Sequence, residues 1–134
     1  MNVEKTSTIP VLGESDVVKV RQSVRTLAVE IGLSLVDQTK VVTAASELGR
    51  NLLIYGGGGE VILDLVVNNL RRGVRVAFVD EGPGIADLEQ ALRDGFTSGS
   101  GMGLGLGGAK RLVNDFELIS KPGEGTRVTI TKWR

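Results

Sequence analysis

Seven glycines fall between Gly95 and Gly108, and the stretch "GSGMGLGLGG" at residues 99–108 alternates them with methionine and leucine. Glycine loses more conformational freedom on folding than any other residue, roughly 0.5–1 kcal/mol relative to alanine inside a regular element. A chain that concentrates it in one place is either a flexible linker or a backbone that must lie very close to something. Its context disfavours the linker. "GGAKRLVNDF" reads as a helix immediately afterwards, and Leu104 and Leu106 supply apolar anchors. Glycine amides running into a helix N-terminus make an anion site. Two familiar phosphate motifs do not account for the stretch. A P-loop needs Gly-Lys-Ser/Thr, whereas Gly108 is followed by Ala109, Lys110 and Arg111. Gly103, Gly105 and Gly108 spell G-x-G-x-x-G, but no apolar strand precedes them, as a dinucleotide fold requires.

The rest of the composition narrows the chemistry. The chain has 134 residues, the size of one ordinary domain, and shows neither an internal repeat nor a boundary that would split it. It is expected to form a single domain over 1–134. With no cysteine and no histidine, it has no thiolate or histidine metal site, no disulfide, no histidine general base and no phosphohistidine of its own. Proton transfer would fall to Asp, Glu, Lys or Tyr. Lys+Arg and Asp+Glu number 16 each and are interspersed, which disfavours a nucleic-acid partner. No apolar run reaches the ~18 residues of a membrane span, and "MNVEKTSTIPVLGE" lacks a signal-peptide core. The expectation is a soluble, cytoplasmic protein.

Periodicity orders the elements. "TSTIPVL" alternates as a strand, and Pro10 marks it as an edge. Val17, Val20, Val24, Leu27 and Ile31 form a helical stripe stopped at Gly32. Ser34 and Asp37 form a capping box for a helix that runs to about Tyr55 and ends at "GGGG", residues 56–59. "EVILDLVVN" and "VRVAFVD" are strands around the turn "LRRG". "DLEQALRD" and "GGAKRLVNDF" are short helices, and "ELIS" and "RVTITKW" close the chain around "KPGEGT". The order β-α-α-β-β-α-α-β-β predicts an α+β fold. It is a two-layer sandwich with a mixed, mostly antiparallel sheet and helices on one face.

Four stretches could together form one site. Glu47 and Asn51 lie four apart on one helix face, either as solvated polar residues or as a carboxylate and a hard amide ligand beside a pocket. "DEGPG" at 80–84 follows an apolar strand, either as a plain β-turn or as a carboxylate presented to an amino group such as that of adenine. The glycine loop is the third. "GEGT" at 123–126 is the fourth, an ordinary hairpin turn unless its strand neighbours that of Asp80, when Thr126 would set a hydroxyl beside it. Lys110 and Arg111 either add charge near phosphates or are solvated.

Taken in order, E-x-x-x-N, D-x-G-x-G, G-x-G-L-G and G-x-G-T are far more specific than any one of them. Over roughly residues 40–132 the chain resembles the GHKL superfamily, whose nucleotide-binding domain is the Bergerat fold. The resemblance implies that Asn51 ligates Mg²⁺ on the phosphates of ATP. It implies that Asp80 binds the adenine amine with Thr126 assisting through water, and that Gly82 and Gly84 let the base approach. Gly101, Gly103, Leu104 and Gly105 would belong to a lid over the phosphates, and Glu47 would be the general base. The glutamate, the short lid and the absence of a transducer segment or a phosphoacceptor histidine are most similar to bacterial serine kinases of partner-switching systems. That branch implies ATP-dependent phosphorylation of Ser or Thr on STAS-domain antagonist or scaffold proteins in a stress-response pathway (a stressosome), and activation of a serine phosphatase regulator on release. Anti-sigma-factor kinases are cousins that bind sigma factors. A non-catalytic module switched by nucleotide is the remaining reading.

Overall fold

A computed structural model describes residues 1–82 and 106–134. The predicted helix "DLEQALRD", residues 87–94, lies outside the described residues, as do Gly84, Gly101, Gly103, Leu104 and Gly105.

The strands are β1 (Asn2–Val11), β2 (Gly59–Asn68), β3 (Arg71–Asp80), β4 (Asp115–Ser120) and β5 (Thr126–Trp133). The helices are α1 (Glu14–Glu30), α2 (Leu35–Ile54) and α3 (Leu106–Leu112). The five strands form one sheet in the order β1-β2-β3-β5-β4, and every neighbouring pair is antiparallel. Residues Val61, Leu63 and Leu65 on β2, Val74, Val76 and Phe78 on β3, and Val128 and Ile130 on β5 alternate onto one face and are buried there. Val20, Val24 and Ala28 of α1 and Val41, Ala44, Ala45, Leu48 and Leu52 of α2 cover that face in a single apolar core, joined by Leu106 and Ala109 of α3. This is the expected α+β two-layer sandwich.

Local chemistry explains most of the boundaries. The Ser34 hydroxyl accepts from the Asp37 amide at 3.1 Å and starts α2. At the head of α1 the Asp16 carboxylate reaches back to the amides of Leu12 (2.9 Å) and Gly13 (3.2 Å), which holds its pKa below the ordinary value. Beyond α2, Gly57 and Gly58 take φ of 76° and 96°, the left-handed backbone that lets the chain turn into β2. Gly59 is already the first residue of that strand.

Three boundaries differ from the sequence reading. The helix read over "GGAKRLVNDF" stops at Leu112, and Asp115 and Phe116 belong instead to β4, where their partners Thr131 and Ile130 come from a later strand. β1 begins at Asn2 rather than Thr6, because its polar residues pair along β2 as far as Asn2↔Val67. The edge position suggested by Pro10 is confirmed by the sheet order. The β2–β3 turn is Asn69-Leu70 rather than "LRRG". Asn69 has φ 57°, a conformation its short polar side chain tolerates. Arg71 and Arg72 then join β3, where Arg71 lies over the Trp133 ring at 5.5 Å and Arg72 bonds Glu4 of β1 at 3.1 Å. Arginines read as turn residues are strand residues here because their partners come from distant parts of the chain.

Candidate functional site

The register of the sheet builds the site. Leu118, Val128 and Phe78 are aligned across β4, β5 and β3 as part of the core. Two residues further along, in the same orientation, the aligned row is Ser120, Thr126 and Asp80. The apolar layer therefore gives way to a polar row at the end of the sheet, on the face that carries the helices. The neighbouring strands that a hydroxyl beside Asp80 required are present, since Asp80 pairs directly with Thr126.

Asp80 is held firmly. Its Oδ1 accepts from the Gly82 amide at 2.8 Å, and a Thr126 backbone hydrogen bond also reaches its carboxylate. Burial nevertheless dominates and pushes its pKa above the ordinary value, with these two bonds acting in the opposite direction. A half-buried carboxylate that already accepts backbone hydrogen bonds is a strong acceptor for one further donor.

Three glycines press against it. A Cβ on Gly56 would lie 2.7 Å from both Cγ and Oδ2 of Asp80. One on Gly82 would lie 3.0 Å from the Gly56 backbone, and one on Gly125 would overlap the Asp80 carbonyl oxygen. Gly56 and Gly82 thus bring backbone close against the carboxylate, and Gly125 lies against the Asp80 main chain. Gly82 belongs to the motif that the sequence singled out. Gly56 does not. It read only as part of a helix stop, because nothing local shows that the end of α2 lands on Asp80.

Glu47 and Asn51 are carried by α2. They lie at the margin of its buried stripe, next to Leu48 and Leu52, and both are partly exposed. Gly49 lets this helix sit close to α1 and the sheet, since a Cβ there would be 3.3 Å from Val17 and 3.9 Å from Phe78. The Asn51 carbonyl accepts from the amides of Tyr55 (2.9 Å) and Gly56 (3.3 Å). One turn of chain therefore links Asn51 to the glycine packed on Asp80. The Glu47 side chain is 39% exposed, with Oε1 3.6 Å from Nη1 of Arg50. Its placement is compatible with a solvated ion pair, and equally with a carboxylate accessible to an incoming hydroxyl. Lys110 and Arg111 are exposed on α3, which starts at Leu106. Ser120 is a site residue that the sequence did not flag.

The arrangement offers a half-buried carboxylate acceptor at Asp80, with the hydroxyl-bearing Ser120 and Thr126 in the same row. Residues 36–134 match the family described as histidine kinase-, DNA gyrase B- and HSP90-like ATPases. The chain belongs to that family of ATPase domains. It is 40% identical over 127 residues to the serine/threonine-protein kinase RsbT of Bacillus subtilis, covering 95% of this chain and 96% of that protein. It is 27% identical over 117 residues to the anti-sigma F factor of a Thermoanaerobacter species, covering 84% of this chain and 82% of that protein. The fold matches a crystal structure of the RsbU and RsbW domains of a Mycobacterium tuberculosis protein with a TM-score of 0.66 and 20% identity, over 97% of this chain and 33% of that one.

Proposed function

We propose that this chain is an ATP-dependent protein serine/threonine kinase of a bacterial partner-switching pathway, folded as one domain over 1–134. The observation that carries the reading is the Asp80–Thr126 pair walled by Gly56, Gly82 and Gly125, in a chain so similar to a serine/threonine-protein kinase. Asp80 would accept from the adenine amine with Thr126 beside it. Gly82 and Gly84 would let the base approach the backbone, and Gly101, Gly103, Leu104 and Gly105 would close over the phosphates.

The donor set also fits Mg²⁺ of the phosphate-borne kind. Among the described residues no three carboxylates cluster into a ready-made cation cage. A single hard amide oxygen, that of Asn51, suits an ion that keeps most of its ligands from water and phosphate. Bound Mg²⁺ would neutralise charge on the β- and γ-phosphates. Glu47 would orient the acceptor hydroxyl and take its proton as the oxygen attacks the γ-phosphorus and the bond to ADP breaks.

The acceptors in this reading are serines or threonines of STAS-domain proteins of a stressosome-type stress response. Release from them would free the kinase to activate a serine phosphatase regulator. No helix among the described residues is long and apolar enough to cross a membrane, and the proposed site of action is the cytoplasm, with neither nucleic acid nor membrane as partner. The similarity to anti-sigma F factors favours one second reading, a kinase whose main partner is a sigma factor. A third, a non-catalytic module in which nucleotide only sets conformation, leaves Glu47 without a chemical task.

The deciding experiment mixes the chain with γ-labelled ATP, Mg²⁺ and a STAS protein encoded beside it. Label on a STAS serine or threonine, absent with Glu47→Gln although that variant still binds ATP, is the expected result. No transfer with nucleotide still bound would overturn the STAS-kinase reading in favour of the sigma-factor or switch readings.

A further inference from the structure

The polar row at the end of the sheet contains a proton inventory. The Ser120 hydroxyl donates to the Gly125 carbonyl at 3.0 Å and lies 2.8 Å from the Thr126 hydroxyl. A hydroxyl has a single proton to donate, and a carbonyl can only accept. With the Ser120 proton committed to Gly125, the Ser120–Thr126 bond must take its proton from Thr126. With its proton spent on Ser120, the Thr126 oxygen can only accept from any further group that enters the row it shares with Asp80. An ionised Asp80 is itself acceptor-only.

We infer that Ser120 is a positioning residue for purine selectivity: it fixes Thr126 as an acceptor beside Asp80, so that the row selects a purine carrying an amino group over one carrying a carbonyl at that position. The inference rests on the adenine-binding reading of Asp80 given above. Without Ser120 the Thr126 hydroxyl is free to rotate, and it can donate to a carbonyl as readily as accept from an amine. Asp80 would then be left as the sole discriminating group.

Ser120 occupies the last position of β4, paired with Thr126 and outside the apolar core, so the hydroxyl's role is separable from core packing. Gly125 adds a second constraint. It has φ 85° and is packed on the Asp80 carbonyl, so the acceptor of the Ser120 proton is itself fixed in place.

The test is the ratio of affinities for ATP and inosine triphosphate, measured calorimetrically with Mg²⁺. The two ligands share their phosphates and ribose and differ only along one edge of the base, which carries an amine beside a bare N1 in ATP and a carbonyl beside a protonated N1 in ITP. The wild-type chain is expected to prefer ATP. Ser120→Ala is expected to lower the ATP/ITP ratio about five- to tenfold, the effect of one neutral hydrogen bond changing sign. Ser120→Thr, which keeps the hydroxyl, should restore it, and on a Thr126→Val background Ser120→Ala should have no further effect on the ratio. A general structural defect would weaken both nucleotides together and leave the ratio alone. Should the alanine variant fail to fold, Ser120→Cys carries the same measurement, since a thiol is a weak donor of similar size. An unchanged ratio in Ser120→Ala or Ser120→Cys, with wild-type preference for ATP intact, overturns the positioning role. Wild-type binding of neither nucleotide overturns the adenine reading instead, and the inference with it.

Discussion

Replacing Gly56 by alanine tests the site at the point the sequence alone did not reveal. The added Cβ would lie 2.7 Å from Cγ and Oδ2 of Asp80 and 2.8 Å from its Cβ. Carbon atoms rest at no less than ~3.5 Å, so the methyl is about 0.8 Å too close. The aspartate cannot simply swing aside. Its Oδ1 is bonded to the Gly82 amide at 2.8 Å, and Thr126 also holds the carboxylate. Either those bonds are lost or the α2–β2 connection shifts, an overpacking cost of about 1–3 kcal/mol in stability. A displaced carboxylate would also lose its charge-assisted bond to the nucleotide amine, worth roughly 1.5–3 kcal/mol, or about ten- to hundredfold in affinity. Calorimetric titration with ATP and Mg²⁺ reads this directly. Gly57→Ala is the matched control. A Cβ there meets nothing within 4 Å, but φ is 76°, so the variant should lose about 1 kcal/mol of stability with no loss of affinity. Affinity of Gly56→Ala within twofold of wild type would refute the argument that this glycine shapes the seat of Asp80.

Asp80 also makes a pH prediction. Its raised pKa means that the folded chain keeps this proton to a higher pH than the unfolded chain does. Wild type should therefore lose stability relative to Asp80→Asn as pH rises through that pKa, and level off above it. Nucleotide affinity should change in the opposite sense, falling as acid protonates the acceptor. Comparing wild type with Asp80→Asn at each pH cancels the ligand's own titration, and parallel profiles would count against an ionised Asp80 as acceptor. Ser34→Ala removes the hydroxyl that caps α2 at 3.1 Å and should cost about 1 kcal/mol, read as a lower denaturant midpoint; an unchanged midpoint would mean that water replaces the cap.

Much of this architecture is local and can be read from residue spacing. The Val17, Val20, Val24, Leu27 and Ile31 stripe, the Ser34 cap, and the strand alternation of β2 and β3 each depend on neighbours only a few residues away. For the same reason Asp80 at the end of an apolar strand, and Glu47 four residues before Asn51, stood out as candidates without a structure. Local reading erred where a residue's partner is remote. Arg71 and Arg72 looked like turn residues because Trp133 and Glu4, which hold them in β3, lie far away in the chain.

The amino-acid order by itself determined most of the helix and strand segments among the described residues, which chemistries cysteine and histidine cannot supply, and which carboxylates and glycines could serve a nucleotide. Only the tertiary structure decided that β5 lies between β3 and β4. The two pairings of β5 place Thr126 beside Asp80 and bring Ser120 into the same row. It also took the folded chain to set Gly56 against the Asp80 carboxylate. Periodicity repeats every two or 3.6 residues and is written in each segment, whereas strand order and register are fixed by burial of a shared face among segments far apart.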